Sequence, residues 1–150
     1  MYKDINYFDG HNDVLLKLFY SKNSNKTQDF LQGNNYCHID YPRIITSSFI
    51  GGFFAMFVPE NEPDESFFSR MELPAYDFEL PKPIEYNHAL SLTISMISIL
   101  FKIIEKFNGK IVICKNYNEL NEAYKKNQIA IILHIEGAEV IDSNFDSLDI

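Results

Sequence analysis

Apolar and polar positions along this chain alternate between two spacings, one suited to strands and one to helices. Residues 5–10, INYFDG, are a short β-branched and aromatic run closed by Gly10, and read as a strand. In N12-DVLLKLFYS-21 apolar side chains stand at 14, 15, 16, 18 and 19, as in the first turns of a helix capped by Asn12 or Asp13. The polar stretch 21–36, punctuated by Asn and Gly, reads as an excursion with room for a short helix. Asp40 followed by Pro42 marks another helix start.

The run G51-GFFAMFVP-59 is almost continuously apolar, the pattern of a strand buried on both faces of a parallel sheet. Residues 60–83 carry Pro63, Pro74, Pro81 and Pro83 with little periodicity, and read as a loop. Residues 84–108 form the longest helical pattern, which Gly109 ends as a glycine just past the helix. A short strand at 110–115, an amphipathic helix at 118–127 with Leu120, Ala123 and Tyr124 on one face, and a buried strand at 128–137 complete the order. Strands alternating with helices predict βα units and a parallel sheet, the α/β class. No internal repeat, P-loop, GxGxxG or GxSxG is present in the sequence.

Composition narrows the function classes. The 150 residues suffice for one ordinary domain, and 46% hydrophobic with 15% aromatic content is globular. A formal charge of -8 argues against nucleic acid and anionic membrane surfaces, both of which select basic patches. The apolar run 89–101 is shorter than the roughly 20 residues of a membrane span, so a buried helix is expected. Cys37 and Cys114 form no CxxC pattern and read as buried thiols in a reducing compartment. MYKDINYFDG has no basic stretch leading into an apolar one, so a cytoplasmic location is expected.

Functional groups in α/β folds gather at the carboxyl ends of the strands, and two predicted strands end in titratable side chains. The first ends D9-GHND-13. In extended chain His11 and Asp13 point to one side and offer a nitrogen and an oxygen to one cation, as zinc accepts. The alternative is a pair that caps the following helix. Glu136 closes a strand so apolar that its carboxylate needs a partner, either a metal or a Lys or Arg. His134 shares its face and reads as an extra ligand, a donor orienting a ligand, or a packed core histidine, with the last two favoured by its deeper position. His38 and His88 lie away from the strand ends and read as surface or capping residues.

Three stretches in order, D9-GHND-13, H38-IDYPRIITSSFIGGFFAMFVP-59 and I135-EGAEVID-142, resemble the membrane (renal) dipeptidase family of zinc metallopeptidases in the amidohydrolase superfamily. The resemblance covers essentially the whole chain apart from 60–83. It implies a (β/α)8 TIM-like barrel with two Zn2+ ions. His11 and Asp13 would bind one zinc and Glu136 would bridge both, with a bridging hydroxide hydrolysing a dipeptide. The family's second zinc takes two histidines from strands beyond the bridging glutamate, and a late-strand aspartate assists proton transfer. None of these lies within residues 1–150, so no catalytic residue beyond the metal ligands is assigned. Residues 1–150 are accordingly expected to be the N-terminal part of a single metallodipeptidase barrel domain, in truncated or split form. Alone they are expected to be inactive and prone to self-association or to pairing with a complementing chain. A non-catalytic remnant or interaction module is the alternative, and another binuclear amidohydrolase the third.

Overall fold

The computed structural model describes residues 5–59, 69–77 and 82–146. Four strands, β1 (Tyr7–Asn12), β2 (Phe49–Phe57), β3 (Ile111–Ile113) and β4 (Ile129–Glu136), form one sheet in which every pairing is parallel. The helices are α1 (Val14–Tyr20), α2 (Lys26–Gln32), α3 (Tyr41–Ile45), α4 (Tyr86–Lys106) and α5 (Tyr117–Lys125). The α/β class and the parallel sheet are therefore as expected. The loop expected over 60–83 lies partly outside the described residues. Of its described part, 69–77 is exposed throughout and residues 69–71 are helical.

Strand order is β1-β2-β4-β3, not the order along the chain. β4 inserts between β2 and β3, so the chain's last described strand lies only one strand away from its first. β3 pairs with residues 129–131 of β4 and no further. That limits burial of β4: Ala130 and Ile131 are buried, but Ile135 is 46% exposed. The expectation of buried strands holds for β2 up to Met56 and for the first half of β4 only.

The sheet's two faces are unequal. The larger core gathers Phe54, Met56 and Ile131 of the sheet against α1 and α4, with Leu15, Leu18, Met96, Leu100 and Ile103 all buried. Helix α4 is long and apolar enough to cross a membrane. Its residues Met96, Ile99, Leu100 and Ile103 form a stripe buried in this core, Ala89 packs with Val58 and Val140 in a smaller cluster, and Ile94 and Phe101 on the other side are exposed. After Lys106 the chain turns through two left-handed residues, Asn108 and Gly109, so the turn starts one residue before the glycine. The other face carries Phe8, Ala130 and Ile132, covered near the start of the strands by Leu120 and Ala123 of α5. Both cysteines are buried and unpaired, and burial pushes both thiols above their ordinary range.

Gly51 explains how β2 fits so closely between its neighbours. A Cβ there would lie 2.2 Å from the Ala130 carbonyl oxygen and 2.8 Å from a Phe8 ring carbon. The register that follows sets Ala55 against His134 and Phe57 against Glu136.

Candidate metal centre

The end of β1 is not a regular strand. Between Asp9 and Asn12 the chain advances three residues while its partner β2 advances two, from Gly52 to Phe54. In a regular strand Phe8 and His11, three apart, would face opposite sides. The extra residue in this bulge turns His11 onto the face of Phe8, His134 and Glu136. Asp13 is not in extended conformation: it precedes α1 with φ -101° and ψ 28°. The alternation argument for the His11/Asp13 pair therefore fails, yet the turn brings the two side chains together all the same.

His11 Nε2 stands 3.5 Å from Asp13 Oδ1 and 3.4 Å from Glu136 Oε2. One donor atom from each of the three residues fits within a 4.8 Å group, and no other such cluster occurs among the described residues. All three side chains are 42–43% exposed, so the cluster is open to solvent. Two strand ends more than a hundred positions apart along the chain thus converge, as expected.

The competing explanations for these residues find little support. Asp13 sits at the cap position of α1 but its side chain accepts no capping hydrogen bond. Among the described residues no lysine or arginine reaches ion-pair distance of Asp13 or Glu136. Two carboxylates facing one imidazole, without a basic partner, form a hard, anionic donor set. A tetrahedral ion with bonds of 2.0–2.1 Å has ligand atoms about 3.3–3.4 Å apart, close to the two spacings found here. The residues present fit a divalent cation.

Asn12, which sequence reasoning placed only as a cap candidate, ties the elements beside the donors together. It is buried, and its side-chain amide donates to Asp9 Oδ2 at 2.9 Å and to the Phe53 carbonyl at 3.0 Å, while its oxygen accepts from Val14 N at 3.4 Å. One side chain thus ties β1, β2 and the start of α1 together between the two ligand candidates. Asn12→Ala is expected to cost about 1–3 kcal/mol, since it leaves buried acceptors unpaired. Urea unfolding measures this; an unchanged midpoint would contradict it.

A cavity of about 280 Å³ opens beside His11 and Asp13, with Lys17, His38 and Ile39 also in its wall. The segment that brings His38 there is held by Asp40, 1% exposed, which caps α3 through Arg43 N, accepts from Asn34 N and pairs with the Arg43 guanidinium. His38 is exposed at the cavity rim, and His88 is exposed in the first turn of α4. His134 stays outside the three-residue group; its ring meets that of His11 edge-on, with centroids 5.7 Å apart.

Comparison with known proteins places this geometry. The sequence profile of the membrane dipeptidase family, peptidase family M19, matches residues 1–150. An uncharacterized protein in the PQQ-III 3′ region of Acinetobacter calcoaceticus is 29% identical over 150 residues, 99% of this chain and 45% of its own length. A metallopeptidase from Rhodobacter sphaeroides, solved with a phosphinate mimic of the dipeptide L-Ala-D-Ala, superposes with a TM-score of 0.85 at 31% identity over 97% of this chain. The dipeptidase AC, a metallopeptidase of family M19, gives 0.83 at 32% identity, again over 97%. The chain spans 42% and 40% of those two structures, and its parallel α/β sheet is a partial (β/α)8 barrel. The motifs at both strand ends, the parallel sheet that joins them and the match along its whole length agree: the chain belongs to the membrane dipeptidase family of metallopeptidases.

Proposed function

We propose that residues 1–150 carry the first half of a zinc dipeptidase site, with His11 and Asp13 as ligands of one Zn2+ and Glu136 as the carboxylate that bridges to a second. The observation that carries this reading is the convergence of the three donors at the carboxyl end of the sheet, with no lysine or arginine among the described residues within ion-pair distance of the carboxylates. The substrate class is a dipeptide, a reading supported by the dipeptide mimic bound to the Rhodobacter sphaeroides relative.

A bound divalent cation supplies Lewis acidity and lowers the pKa of water toward neutrality. The chain's own residues do the rest of the local work. Asp13 and Glu136 would offset the charge of a bound cation. Asn12 holds the β1 end against β2, which keeps the Asp13 and His11 backbones in place. The 280 Å³ cavity, walled by Lys17, His38 and Ile39, leaves space beside the donors for a small peptide.

Titration of the purified chain with Zn2+ or Co2+ tests the ligand set. His11→Ala, Asp13→Ala and Glu136→Gln should each weaken binding by more than the roughly 10–100-fold that loss of a ligand's outer hydrogen-bond partner costs. Unaltered affinity in any one of them removes that residue from the set.

A further inference from the structure

The orientation of the His11 ring is left open by hydrogen bonding. Metal-binding imidazoles ordinarily fix their second nitrogen through a carboxylate, a carbonyl or water. Among the described residues no hydrogen bond reaches the His11 ring; its neighbours are Asp13, Glu136 and the edge of His134. The ring sits on a bulge, which re-aims the side chain relative to a regular strand.

His134 does not stand alone. Its ring meets Phe53 at 6.1 Å and 82°, and Phe53 meets Phe8 at 5.7 Å and 86°. With the His11–His134 contact at 81°, four rings form one edge-to-face column. All these separations lie in the range that aromatic pairs prefer. The column runs along the face opposite the main core, from the α5-covered start of the strands up to the donor cluster. Ala55 makes room for it: Ala55 lies directly opposite His134 in the β2–β4 register and is fully buried. A larger side chain there would compete with the His134 ring for the same space.

We infer that His134 is a positioning residue, which, backed by Phe53 and Phe8, holds the His11 imidazole with Nε2 turned toward Asp13 and Glu136. This deepens the metal-site reading and rests on it for its purpose. The orientation itself is a property of the metal-free chain. Shape, not the imidazole nitrogen, does the holding, so phenylalanine should replace His134 where alanine cannot.

The test has two arms. In the metal-free chain, NMR should show ring-to-ring contacts between His11 and His134 and a displaced His11 ring resonance in His134→Ala. His134→Phe should keep the resonance near its original position. In the second arm, Co2+ affinity and the visible spectrum are followed. His134→Ala should weaken binding by about tenfold, the lower end of what an outer partner contributes, while His134→Phe stays within about threefold of the parent chain. If the His11 resonance ignores His134→Ala, the inference is overturned. If phenylalanine fails as badly as alanine, a nitrogen of His134 is what matters, and positioning by shape is overturned too. A parent chain that binds no Co2+ would refute the metal-site reading; the NMR arm would still decide the orientation.

Discussion

Purified polypeptide 1–150, supplied with zinc, should hydrolyse dipeptides no faster than buffer does. The three donors that converge are one imidazole and two carboxylates. The family resemblance calls for two further histidines on a second zinc and an aspartate for proton transfer, all from strands beyond Glu136. Apart from His134, the remaining histidines of this polypeptide are His38, at the rim of the cavity, and His88, exposed at the start of α4. Neither belongs to the donor group. A second cation acting as a Lewis acid is worth several kcal/mol of transition-state stabilisation. A placed acid–base group adds roughly 10²–10⁴-fold. Losing both removes most of the rate enhancement even where one cation binds well. The check is a dipeptide assay with Zn2+ or Co2+ beside His11→Ala. Turnover that His11→Ala abolishes would overturn this argument, and would mean that the polypeptide completes its site by self-association or with a partner. Size-exclusion chromatography of the active sample would then show the assembly.

Gly51→Ala should be the most damaging of the glycine-to-alanine changes in this fold. The new Cβ would collide first with backbone, which cannot swing aside: the Ala130 carbonyl oxygen at 2.2 Å and its carbon at 3.0 Å, with the Phe8 ring at 2.8 Å besides. Either β2 or β4 must move. Overpacking in a well-filled core costs about 1–3 kcal/mol, and a backbone collision stands at the top of that range or above it. Against a total stability of roughly 5–15 kcal/mol this is a large fraction. The displaced register is the one that carries Ala55 against His134 and Phe57 against Glu136, so metal affinity should fall along with stability. Gly10→Ala is the control. A Cβ at Gly10 has no atom within 4 Å, and a change within about 1 kcal/mol is expected. Circular dichroism during urea unfolding reads both. Equal midpoints for Gly51→Ala and the parent chain would refute the packing argument.

Much of the architecture was legible in the chain because it is written in local spacing. The apolar run through β2, the Asp40–Pro42 start of α3 and the long helical repeat of α4 each appear where the pattern predicts, since propensity and periodicity act over a few residues. The ligand candidates were legible for a similar reason. A charge at the end of an apolar strand, such as Glu136, stands out without any knowledge of its neighbours. The burial of β4 was misjudged because an apolar strand is covered only as far as its neighbours extend, and β3 stops after three residues.

Sequence by itself determined most of the elements, the parallel α/β class, the family the chain resembles and three candidate donor residues. Tertiary structure alone decided that β4 inserts beside β2, which puts Glu136 one strand away from β1. It also decided that a bulge before Asn12 turns His11 to the Glu136 face, and that Asn12 rather than Asp13 bonds the neighbouring backbone. The aromatic column from Phe8 to His11 belongs to the same class of fact. The physical reason is common to all of them. Which face a strand residue points to, and which strand lies beside it, depend on register between segments distant along the chain. One extra residue in a strand reverses the direction of a side chain without altering the local hydrophobic pattern from which the strand is read.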